Sequence, residues 1–215
     1  MPAIDQFGNP VSQDSTYRIG RWLSQIFHPI TNGILSFLIV GALADDFASR
    51  RLAGIGWALT AIALLILPPT LYFYFRLFRG HYSDDDISHR HQRTGLYIFS
   101  LGSVVLASLA LYSLSVPTVF LRLIGASLGI LVLCMLINFV WKVSVHSASI
   151  ATLATLSAVY RPWLGLVFWL AAIALGWARI RTGNHTLGQV MAGWAIAVGS
   201  ILLALGSFNI FLFAR

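Results

Sequence analysis

The chain has 215 residues, 58% of them hydrophobic and 10% charged, and its mean hydropathy of +0.80 excludes an ordinary soluble domain. Its formal charge of +7 comes from arginines and one lysine, Lys142, against aspartates alone. In a membrane protein such a balance serves anionic headgroups, positive-inside anchoring or an anionic substrate. Nucleic acid is excluded by the lack of a soluble basic domain or a basic stripe interleaved with aromatics. The single cysteine, Cys134, lies in an apolar run and allows neither a disulfide framework nor a cysteine metal site within one chain.

Residues 1–28 read as a polar tail that ends in an interfacial helix. In RWLSQIFHP, Trp22, Ile26 and Phe27 share the apolar side with Arg18 and Arg21 nearby, which suits a helix lying among lipid headgroups. From residue 29 to 215 the expected architecture is one all-α transmembrane bundle. Hydropathy places seven spans, near 29–45, 52–75, 95–114, 117–140, 144–160, 163–179 and 186–212, since about 20 apolar residues cross the hydrocarbon core. Small residues in SASIATLATLSA and AGWAIAVGS let helix backbones approach closely. Alternating spans put the tail, 76–94, 141–147 and 178–185 on one side, and all six histidines and the lysine fall on that side.

Three of these breaks carry chemistry. In WKVSVHSAS, Lys142 and His146 are four residues apart and share a face if the helix has already begun; the plain alternative is a snorkelling lysine and an interfacial histidine. In ARIRTGNHTLGQ, His185 and Gln189 are one turn apart, so the amide can fix the imidazole tautomer, and a histidine so held can act as a nucleophile. Gly183 turns the chain so that Arg179 can face His185, making a phosphate cradle. In HYSDDDISHRHQRTG, a helical second half would align Asp86, His89, Arg90 and Arg93, with Asp86 turned toward Arg90 or Arg93. The aspartate run also raises a magnesium-diphosphate site, but such sites generally use two acidic clusters, and Asp45 and Asp46 are expected on the opposite side.

The spacing resembles the type 2 phosphatidic acid phosphatase (PAP2) superfamily. Its three motifs are Lys, six residues, Arg-Pro; then Pro-Ser-Gly-His; then Ser-Arg, five residues, His, three residues, Asp. Here the corresponding stretches are Asp86, six residues, Arg93-Thr94; Val143-Ser144-Val145-His146; and Ala178-Arg179, five residues, His185, three residues, Gln189. HTLGQV looks like the dolichyldiphosphatase branch, where glutamine replaces the aspartate. Asp86 departs from the pattern at the lysine, Thr94 at the proline, and Val143 and Val145 at the Pro and Gly of the second motif.

The resemblance implies a membrane lipid phosphatase or diphosphatase acting on a polyprenyl or phosphatidyl phosphate without a metal or other cofactor. His185 would attack phosphorus, His146 would protonate the leaving oxygen and later activate water, and Gln189 would orient His185. Arg93 and Arg179 would hold the phosphate, Lys142 would replace the missing lysine, and Arg90 and Ser144 would be secondary contacts. A carboxylate at Asp86 that faced the site would oppose hydrolysis. The alternative is a catalytically degenerate relative that binds lipid or packs in a membrane assembly. The expected location is the plasma (inner) membrane.

Overall fold

A computed structural model describes residues 3–87 and 89–212, with the backbone alone at Ala3, Ile4, Arg90 and 207–212. The described chain is helical apart from a two-residue antiparallel pair in the tail, β1 (Ala3–Ile4) with β2 (Pro10–Val11). Helix α1 (Ser15–Ile26) is capped by Asp14, whose carboxylate accepts from the Tyr17 N–H. It packs on the end of α8 (Pro162–Arg181), while Ile19, Trp22 and Ile26 stay exposed, as an interfacial helix requires. The chain bends by 43° into α2 (Pro29–Leu43), where Pro29 occupies the first turn without leaving an N–H unpaired.

The second span runs from Arg51 to Phe78 as α3 (Arg51–Ala61), a π-helical turn at Ile62–Ile66 and α4 (Leu67–Phe78). Pro68 and Pro69 donate no backbone hydrogen bond, which favours such a local widening. Helices α5 (Arg90–Ser113), α6 (Thr118–Asn138), α7 (Val145–Tyr160), α8 and α9 (Leu187–Leu212) complete the bundle. Leucines such as Leu106, Leu109, Leu166, Leu170 and Leu203 point outward, an apolar surface that only a lipid solvent tolerates.

Among the described residues, five helices are long and apolar enough to cross a membrane, or six if bent α1 and α2 make one span. The chain is thus an integral membrane protein. Helix α7, expected as the fifth span, is found in place but is shorter than those five: it has 16 residues and, at 1.5 Å per residue, reaches about 24 Å. Helix α7 is the central element rather than a lipid-facing one. Ala148, Ala151, Leu153 and Ala154 are fully or almost fully buried, and α2, α8 and α9 pack around it. The polar breaks expected to share one side do meet, and they form the site.

Candidate functional site

His185 stands in the turn between α8 and α9. The Arg179 carbonyl accepts from the N–H groups of both Asn184 and His185, at 3.1 and 3.0 Å. Gly183, with φ +74°, makes that fold-back, and a Cβ there would meet Asp5 of the tail at 2.7 Å. Helix α9 then begins with a capping box, Thr186-Leu187-Gly188-Gln189. Thr186 Oγ1 accepts from the Gln189 N–H at 3.4 Å, and Gln189 Oε1 accepts from the Thr186 N–H at 3.2 Å.

The same Gln189 Oε1 lies 2.9 Å from His185 Nδ1. Because this oxygen already accepts a backbone N–H, it is the carbonyl end of the amide and Nδ1 is the donor. The proton is assigned to Nδ1 by this network, and Nε2 keeps a bare lone pair. His185 lies between membrane-spanning helices, where burial and the charges of Arg179, Arg93 and Lys142 hold its pKa well below the usual imidazole range. Burial thus favours the neutral ring.

Ser144 caps α7. Ser144 is completely buried, and its Oγ accepts from the Ser147 N–H at 3.3 Å and the Ser147 hydroxyl at 2.9 Å. Its own N–H donates to the Gln189 carbonyl at 3.2 Å, joining the start of α7 directly to the first turn of α9. At Gly193 a Cβ would stand 2.6 Å from the Ser144 carbonyl oxygen, so glycine lets α9 approach the α7 cap. One residue into α7, His146 is buried with Nε2 unpartnered. Its ring meets His28 edge-on at 5.4 Å.

Lys142 precedes α7 in a turn rather than sharing a helix face with His146, a correction caused by the late start of that helix. Its ammonium donates to the Asn184 carbonyl at 2.8 Å. Burial, Arg93 and Arg179 bring its pKa down to about 8. Arg93, in the first turn of α5, donates to the carbonyls of Ile87, Val143 and Asp86 at 2.8, 3.3 and 3.2 Å. Among the described residues neither cation has a carboxylate within 4 Å. Backbone carbonyls hold both cations at contact distance, and Asp84 and Asp86 act on them from further away.

Asp86 requires the largest correction. The helix begins at Arg90, so Asp86 lies in the preceding loop and its carboxylate turns away from Arg93 and into the site. Oδ1 accepts from Arg179 Nη1 at 3.1 Å and stands 3.8 Å from His146 Nε2. Oδ2 accepts from Arg21 Nη1 at 2.7 Å and Asn184 Nδ2 at 2.9 Å. Burial would raise its pKa, but Arg179, His146 and Arg21 more than offset this and hold the carboxyl well below the usual carboxylate range. Arg179, wholly buried, keeps its Nε unpartnered.

A cavity of about 300 Å³ brings together Arg93, His146, His185, Asp86 and His28, with Ile66, Pro69 and Leu131 on its apolar walls. Arg179 reaches this group through Asp86, and Lys142 through Asn184. The Arg90 side chain lies outside the described residues. His81, His89 and His91 are exposed and do not line the cavity.

The Asp84, Asp85 and Asp86 carboxylates lie within 4.8 Å of one another. Arg21 engages both Asp85 and Asp86, while Asp84 accepts from the Asp86 N–H and the Ser83 hydroxyl. The sequence reading passed over Arg21, Asn184 and His28 as site residues. The first two had no local signal, since their shared partner lies 65 and 98 residues away. Compared with protein-family models, curated proteins and solved structures, the chain returns no match.

Proposed function

We propose that this integral membrane protein is a lipid phosphatase or diphosphatase that works through a phosphohistidine. The observation that carries the reading is His185 Nε2, a bare lone pair fixed by Gln189 in one cavity with His146 and Arg93. Nε2 attacks phosphorus, the bond to the lipid oxygen breaks, and His146 delivers to that oxygen the proton brought in by a monoprotonated phosphate. Water then attacks phosphorus, the phosphorus–nitrogen bond breaks to restore the His185 lone pair, and His146 takes the water proton and passes it to the departing phosphate. Arg93 and Arg179 stabilise the charge that develops on the nonbridging oxygens. The reactive end is polar and the walls are apolar, which fits a phosphate at headgroup level with its tail in lipid.

Asp86 favours a second reading, a lipid-binding protein without turnover, because its carboxylate holds the place that a phosphate would take beside Arg179. Under the phosphatase reading the incoming phosphate displaces Asp86, and Asp86→Asn then tightens substrate binding by about tenfold, the scale of one like-charge contact. The purified protein with prenyl or alkyl phosphates and diphosphates in EDTA is expected to release phosphate and to form an acid-labile, base-stable phosphoprotein that His185→Ala abolishes. No release by either the wild type or Asp86→Asn, with lipid phosphate still bound, overturns turnover and leaves the binding protein.

A further inference from the structure

Beyond the reactive cavity lies a second one of about 190 Å³, which shares Gly33, Tyr97, Leu131 and Val145 with the first. The two cavities are adjacent, and a path between them would narrow to a neck at their shared walls. A Cβ at Gly33 would sit 3.2 Å from Ile66 Cδ1, so even the smallest side chain would crowd it. From the neck the path continues past Ser127, Ile130 and Thr152 to Phe37 and Leu123. Phe37 and Leu123 belong to the core built around Phe120, and the Phe37 ring stacks on Phe120 at 6.4 Å. Between His28 and Phe37 nine residues of chain advance about 13 Å at helical rise, roughly half the hydrocarbon thickness of a bilayer.

The hydroxyls along this path do not make it polar. Ser36, Ser127 and Thr152 each donate to the carbonyl four residues earlier, at 2.8, 2.8 and 2.9 Å, and Ser149 donates to the His146 carbonyl at 2.9 Å. With their protons turned into their own helices, they offer a passing ligand mainly methylene and methyl surface. Apart from the Tyr97 hydroxyl at the wall shared with the first cavity and the Cys134 thiol, the lining offers a sugar or a free phosphate no side-chain donor. A hydrocarbon chain would find walls of its own polarity, joined at one end to a cluster of cations.

We propose that the second cavity is a tail site: one hydrocarbon chain of a lipid phosphate passes the Gly33–Leu131 neck and lies along Ser127 and Thr152. This rests on the reading of the His185 end as the phosphate site. A single neck admits a single chain, so the protein takes lipid phosphates with one tail and discriminates among them by length. The discrimination comes from fit rather than from hydrophobic transfer, because a tail leaving the bilayer exchanges one apolar surrounding for another. A chain too short to pass the neck gains nothing from the second cavity, and one too long meets Phe37.

The test uses dodecylphosphonate and hexylphosphonate carrying a terminal diazirine, both inert to hydrolysis, photolysed with the full-length protein in nanodiscs and mapped by mass spectrometry. The dodecyl probe is expected to label 123–131 of α6 and 148–152 of α7, and the hexyl probe to label only around the first cavity. Gly33→Leu and Ser127→Trp, at opposite ends of the path, should each lower the deep labelling by about tenfold or more through steric exclusion. Wild-type dodecyl labelling on outward-facing residues such as Leu106 or Leu170 overturns the tail site, as does deep labelling that excess unlabelled dodecylphosphonate leaves unchanged. Deep labelling without phosphate release from any substrate sinks the phosphatase reading and leaves the tail site standing.

Discussion

Gln189 satisfies four groups with one side chain and its own backbone, the Ser144 N–H on its carbonyl among them. Its Oε1 accepts from the Thr186 N–H and from His185 Nδ1, and its N–H returns a bond to Thr186 Oγ1. Removing the amide uncaps α9 and frees the imidazole to change tautomer. Gln189→Ala is expected to lower stability by about 1 kcal/mol, the usual value of a cap, and to lower phosphate release far more than this loss of folded protein explains. Gln189→Glu keeps the capping box and should recover most of the stability. Thermal unfolding and initial rates on the same preparations separate the two effects.

Lys142 gives the site a pH limit. Its pKa is lowered to about 8, so the folded protein carries the full charge below that value and loses it as pH rises through 8. Anion binding should therefore weaken on the alkaline side, and Lys142→Arg should move the decline beyond the accessible range, since guanidinium stays protonated. A binding profile of dodecylphosphonate from pH 6 to 10 checks this, and identical alkaline limbs would exclude Lys142 from the anion site.

Among the elements, α7 and α9 set the distance between the two imidazoles. Gly193 permits their contact, with the place for a Cβ only 2.6 Å from the Ser144 carbonyl and 3.1 Å from the Ala148 N–H. Both neighbours are backbone, so the helices must separate to admit a methyl group. Gly193→Ala is expected to cost about 1 to 3 kcal/mol, as overpacking does, and to reduce turnover by moving His146 away from His185. Unfolding midpoints and rates test it, and an unchanged protein would show that this contact positions nothing.

The elements also show which parts of the fold could be read from the chain. Apolar runs located the lipid-facing helices well, with 95–114 expected and Arg90–Ser113 observed, because lipid exposure itself demands continuous apolar sequence. Helix α7, expected near 144–160, is observed at Val145–Tyr160, but its neighbours rather than lipid cover it, and a run of small apolar residues looks alike in either setting. In the site, the resemblance grouped His146, Arg179, His185 and Gln189, and the fold places His146 beside Asp86 with Arg179, and His185 beside Gln189. Spacing failed for Asp86, whose orientation is set by Arg21 and Asn184 from distant stretches. The pairing of Gln189 with His185 was legible in HTLGQ, though the position of the imidazole depends on the turn at Gly183.

At the scale of the molecule, the interfacial helix is fastened to the reactive end rather than floating beside it. Arg21 spans Asp85 and Asp86, Arg181 pairs with Asp14 at 2.7 Å, and Gly20 lets α1 lie against Thr182 and Ala178. The acidic loop is therefore held from outside the bundle. Arg21→Ala should loosen it, and hydrogen exchange at amides 81–87 is expected to rise by about tenfold, in keeping with the loss of charge-assisted bonds. Unchanged exchange would show that the loop is ordered by its own turns.

The occupancy of the Arg179 fork by Asp86 has a consequence for how the protein responds to its medium. A cationic hollow filled by its own side-chain carboxylate trades one negative group for another when a lipid phosphate arrives, so its net electrostatic gain is small. Such a pocket behaves as an ion exchanger, and ionic strength should affect its occupancy only weakly. Replacing the resident carboxylate would turn it into an ordinary cationic trap whose affinity declines steeply with salt.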